Sequence, residues 1–99
     1  MSDTPPYAGL RSVLMSALEQ AANGKGSDRH GNGLPFTDQP MMEIGRMTGA
    51  GGPAFQAMKK SQEALGMIRR GQDKAAEAEL LGAINYLAGA ILLIREGRA

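Results

Sequence analysis

The chain has 99 residues, no Cys, a single His and a formal net charge of +1. That length limits it to one small domain. The missing Cys removes a disulfide framework and thiol chemistry, and one His all but removes a zinc site built from protein ligands. Acids and bases are interspersed, so the charge excess that drives binding to DNA or RNA is absent.

Residues 1–6 are polar and proline-rich, and they read as a short tail that Pro5 and Pro6 keep extended. This is not the pattern of a secretory signal; with no Cys, the expected compartment is the cytoplasm, that of the host if the protein is phage-encoded. Leu10, Val13, Leu14, Ala17, Leu18 and Ala21 then recur at steps of three and one. They predict an amphipathic helix over 7–22, stopped by Asn23-Gly24.

The loop over 24–37 is the longest stretch without periodicity. It carries four glycines in 24–35 together with Lys25, Arg29 and His30. Phe36 is expected to anchor its end. Asp38 reads as an N-cap, with Pro40 in the first turn of a short helix over 39–48 bearing Met41, Ile44 and Met47. Gly49 ends it. Pro53 suits a first helical position, and a helix over 53–70 is expected to turn Phe55, Met58, Leu65 and Ile68 inward. Gly71 is its stop, after Arg69 and Arg70 have complemented the helix dipole.

Asp73 is the expected N-cap of the last helix, which Gly97 ends. From Leu80 to Ile94 there are fifteen residues without a charge. Leu80, Ile84, Leu87, Ile91 and Ile94 repeat at helical steps, while Gly82 and Gly89 sit seven apart beside Ala83 and Ala90. A helix apolar on most sides is buried on most sides, and small residues let another backbone come close. A short chain has little else to cover such a helix, so partner copies are expected to sheathe it. A membrane span wants about 18 or more apolar residues; this run is shorter and holds Asn85 and Tyr86, so no membrane is expected. The reading is all-α: one domain over 7–99, a small bundle of three to four helices with a C-terminal antiparallel helical hairpin. The expected homo-oligomer forms through the helix over 80–94.

Lys60-Ser61-Gln62-Glu63 followed by Glu79-Leu80-Leu81-Gly82 resembles the acid pattern of the all-α nucleotide pyrophosphatases of the MazG-like kind. That family carries ExxE on one helix and ExxD on the next; the four carboxylates hold magnesium, which grips a nucleoside triphosphate. Spacing of i, i+3 puts two oxygen donors on one helix face, as a hard cation requires. The resemblance covers residues 55–96. Glu63 and Glu79 match it, but Lys60 stands where the first Glu would be and Gly82 where the Asp would be. The resemblance with those departures implies a pocket that binds a phosphate-bearing ligand and lacks the metal for hydrolysis. Without the resemblance, Lys60 and Glu63 are a solvent-exposed pair, and Glu79 is a first-turn dipole partner.

The loop offers a second anion site, because glycines let backbone N–H groups converge and Lys25 and Arg29 add charge. It is not a P-loop, since no GxxxxGK[ST] is present. With the downstream Asp38-Gln39-Pro40 it is similar to small phage proteins. His30 alone finds no Ser or Asp partner by spacing, so no catalytic role is assigned. The candidate ligand-binding residues are Lys25, Arg29, His30, Asn32, Lys59, Lys60, Glu63 and Glu79. No catalytic residue, metal ligand or cofactor is assigned; magnesium enters only with a working pyrophosphatase. The expected function is non-catalytic binding of a phosphorylated nucleotide-type ligand in pockets between subunits, as in phage proteins that sequester a host's nucleotide signals. The alternatives are a protein-binding inhibitor of a host machine and a residual nucleoside triphosphate pyrophosphatase.

Overall fold

Helix punctuation in the sequence sets the architecture. The computed structural model describes residues 5–23 and 33–99. They form α1 (Pro5–Asn23), a 3-10 turn (Phe36–Asp38), α2 (Pro40–Thr48), α3 (Gly51–Arg69) and α4 (Asp73–Arg95). The fold is all-α, with no strand among the described residues.

Gly49, Gly71 and Gly97 all take positive φ, at 84°, 73° and 79°. At the end of α3 the Gln72 N–H donates to the Met67 carbonyl at 2.8 Å, and at the end of α4 the Arg98 N–H donates to Leu93 at 2.8 Å. These six-to-one bonds, with a left-handed residue just before the donor, satisfy carbonyls that the helix itself cannot.

Several helix starts differ from expectation. Helix α1 begins at Pro5, so Pro5 and Pro6 are helical and not an extended tail. Proline fits a first turn because the N–H it lacks would have no partner there. Asp38 is not the N-cap of α2: the 3-10 turn takes it up, its N–H donating to the Pro35 carbonyl at 2.8 Å, and Gln39 becomes the cap. Helix α3 starts at Gly51, two residues before Pro53. Gln72 caps α4, and Asp73 is a first-turn acid that complements the helix dipole.

The core is built from small side chains. Ala17, Ala57, Ala64, Ala76, Ala83 and Ala90 are buried; Met42 and Leu93, both 0 % exposed, are the large ones. Among the described elements α3 and α4 make the most extensive contact, and α1 and α2 lie against α4. Gly82 and Gly89 are buried as well, but it is side chains of the same chain that use the space they leave. A Cβ on Gly89 would sit 2.9 Å from the Met41 methyl, and one on Gly45 would sit 2.6 Å from Leu93 Cδ1. Glycine therefore permits α2 to rest on α4.

The expected inner face of α3 is overturned: Phe55, Met58, Leu65 and Ile68 are all exposed. So are Leu10, Val13, Leu14 and Leu18 of α1, and Ile44 and Met47 of α2. Helix faces with alanines and glycines pack inward because they allow close axes, and the bulky stripes are left outside. By length and composition α4 is also able to cross a membrane.

Candidate functional site

The inward-facing polar residues gather on one side of the α3–α4 pair. Lys60, one turn past Gln56, projects from α3 towards the second turn of α4. Its ammonium Nζ lies 3.4 Å from Glu79 Oε2, with the two side chains 30 % and 25 % exposed. Its methylene stem runs over Gly82, where an added Cβ would meet Lys60 Cδ at 3.0 Å and Cε at 3.2 Å. An acid at position 82 would press on that stem.

Beside Lys60 opens a cavity of about 680 Å³, within the range of small-molecule sites. All four helices and the 3-10 turn contribute to it. Gln20, Gln39, Gln56 and Asn85 supply amides; Phe36, Phe55 and Tyr86 supply rings. Three amides are fixed by the backbone. Asn85 Nδ2 donates to the Ala17 carbonyl at 3.0 Å, Gln20 Nε2 to Ala78 at 3.3 Å, and Gln39 Nε2 to Leu34 at 2.8 Å. Their carbonyl oxygens accept no hydrogen bond from a described residue, and the Gln56 amide makes none with one. Among the described residues the wall thus presents one cation, fixed acceptors and ring faces.

Of the residues singled out from sequence, the structure brings together Lys60, Glu79 and the departure position Gly82. Lys59 and Glu63 are exposed, and Glu63 makes no hydrogen bond or ion pair with a described residue. Lys60 is therefore not half of a surface pair with Glu63; its partner is Glu79. Lys25, Arg29, His30 and Asn32 lie outside the described residues. Among the described residues no three His, Cys, Asp or Glu are grouped as a metal site would need.

None of the cavity's amides and rings is among the candidate ligand-binding residues read from the sequence, where Asn85 and Tyr86 stand out only as polar residues in need of partners. A signal was present: Gly82, Asn85 and Tyr86 stand at i, i+3 and i+4 in an otherwise apolar run. Polar and small residues at that spacing share one face.

A second polar assembly closes the far end of the bundle. The Arg46 guanidinium donates to both carboxylate oxygens of Glu96, at 2.9 and 3.0 Å, and to the Thr37 carbonyl at 2.8 Å. The hydrogen bonds from Arg46 hold the Glu96 carboxyl below its ordinary range, and Glu96 raises Arg46 in turn.

Compared with protein-family models, with curated proteins and with solved structures, the chain finds no match.

Proposed function

We propose that the protein binds a small phosphorylated nucleotide in the cavity beside Lys60 and holds it without turnover. The observation that carries this reading is a half-buried lysine in a cavity of mixed ring and amide lining, with the Glu79 carboxylate as its counterion. A phosphate competes with Glu79 for the Lys60 ammonium, and charge-assisted bonds of that kind are the strong ones. Ring faces suit a base, and fixed amide oxygens accept from its N–H edge.

Binding is favoured over hydrolysis by the donor set. A magnesium ion wants several oxygen ligands; here Glu79 is engaged by a cation, and position 82 offers no carboxylate. If the resemblance to MazG-like pyrophosphatases is one of descent, this is a site in which Lys60 has replaced the metal. In this reading α3 and α4 form an antiparallel helical hairpin, and copies of the chain associate along α4. One chain by itself supplies the Lys60 cavity, and in this reading the phosphorylated ligand sits there, with partner copies adding to its rim.

Thermal melting with a panel of nucleoside mono- and triphosphates and cyclic nucleotides tests the proposal. A ligand at about 100 times its Kd stabilises by about 2.7 kcal/mol, a shift easily read in a chain this small. No shift from any of the panel at high excess refutes it.

A further inference from the structure

Away from the cavity, α3 and α4 carry two seams of the same form. On α4 the seam is Leu80, Ile84, Leu87, Ile91 and Ile94; on α3 it is Ala54, Met58, Ser61, Leu65 and Ile68. Both advance by steps of four, three, four and three, and both cover fifteen residues. This is the a/d alternation of helices that pack on other helices with knobs in holes. It is not needed inside the chain, where the alanine faces of α3 and α4 already meet.

At about 100° per residue, the α4 seam lies away from Gly82, Asn85 and Tyr86, and the α3 seam away from Lys60. The helices therefore turn both seams to the same side of the pair, opposite the cavity. Met58, Leu65, Ile68, Leu80, Leu87, Ile91 and Ile94 are all exposed there, Met58 at 71 %. They place on the order of 600 Å² of apolar surface in water, at the top of the range for a monomer's largest patch and near the ~800 Å² per partner of a standard interface. Ser61 does not spoil the seam, because its hydroxyl donates to the Ala57 carbonyl at 2.9 Å. No charge interrupts Leu80 to Ile94.

We infer that a second copy of this chain covers this face, the α3–α4 pair of one subunit packing on the same pair of its partner as a four-helix core. A two-fold pairing is self-complementary, and two seams of equal length and phase are what such a bundle requires. A single foreign helix would fill one groove and leave half of the face wet. The inference rests on the association along α4 proposed above and gives it a face and an architecture. It also leaves both cavities open on the outer sides of the dimer, so nucleotide binding survives its loss.

Light scattering and native mass spectrometry of the full chain at micromolar concentration are expected to give two chains or a multiple of two. Leu87→Glu is expected to yield single chains with helical content and nucleotide-induced melting shift retained. Leu14→Glu, at an α1 position equally exposed at 48 %, leaves the pairing intact. The unaltered protein supplies a second readout: under hydrogen peroxide, Met58 should oxidise about tenfold more slowly than Met47, which is 84 % exposed and off the face. A single-chain mass, pairing that persists in Leu87→Glu, or equal oxidation of Met58 and Met47 overturns the inference. So does flotation of the protein with phosphatidylcholine–phosphatidylglycerol vesicles, which would give the face to lipid.

Discussion

Neutralising each member of the Lys60–Glu79 pair in turn separates a phosphate binder from a metal enzyme, because the two chemistries demand opposite signs. In the free protein the ammonium and carboxylate are 3.4 Å apart and about a quarter to a third exposed. Their mutual attraction is therefore largely offset by desolvation and screening; such a pair is worth up to about 1 kcal/mol. Lys60→Met should cost no more than that in stability, a shift of about 4–8 °C at the upper limit. Its effect on ligand is larger. A charge-assisted bond to phosphate is worth about 1.5–3 kcal/mol, so binding should weaken about 10- to 150-fold. Glu79, left without its cation, would add repulsion.

Glu79→Gln works the other way. It removes the competitor for the ammonium, and the gain should match what the pair was worth, about 3- to 5-fold for ~0.7–1 kcal/mol. If Glu79 instead serves to hold magnesium, the same change weakens nucleotide binding and abolishes pyrophosphate release. Calorimetric titration with ATP, with and without magnesium and at two salt concentrations, reads both signs. The reasoning is refuted by Lys60→Met binding within twofold of the unaltered protein, or by Glu79→Gln binding more weakly.

Three further outcomes follow from the packing. Leu93→Ala should cost about 2–5 kcal/mol in chemical denaturation, because Leu93 is fully buried and covers Gly45; a loss below 1 kcal/mol would show that the α2–α4 contact collapses freely. Asn85→Leu removes one of the two amide donors that tie α1 to α4, at a cost of about 1 kcal/mol, and should speed amide exchange in α1 far more than in α3. The third is a pH effect. Glu96 is depressed by Arg46 from its ordinary value of 4.5, so its stabilising contribution is complete above that value and is lost as pH falls through the lower folded value. Amide protection of Gly49 and Ala50 should therefore fall selectively below pH 4.5, and Glu96→Gln should show the low-pH behaviour at neutral pH.

Most of what the sequence shows plainly is punctuation. Gly49, Gly71 and Gly97 stop helices because only glycine takes a left-handed turn without strain, and a one-letter string displays that need. The helix starts are less legible, since Asp38 and Asp73 both satisfy cap chemistry, and only the geometry of the preceding turn decides whether the acid or its neighbour becomes the cap. Which face lies inward is the least legible of all. Met58 and Leu65 form as good an apolar stripe as Ala57 and Ala64 form a small one, and hydrophobicity alone ranks the first as core.

The site was half legible for the same reason. Lys60, Glu79 and Gly82 could be singled out because charge and its absence are conspicuous at i, i+3 spacing. Gln20, Gln39 and Gln56 could not, since amides dispersed over three elements carry no periodicity of their own and converge only once α1 and α2 settle on the glycine face of α4. That dependence fixes an order of causes. Gly82 and Gly89 let Lys60, Gln20 and the α2 methionines come close, close packing builds the cavity, and the large residues excluded from that contact form the opposite face. A bulky residue at Gly89 would therefore disturb the cavity by displacing α2, while Ile91→Ser would leave the cavity intact and remove part of the outer face. The two surfaces of α4 are consequences of one choice of small residues, and they can be lost one at a time.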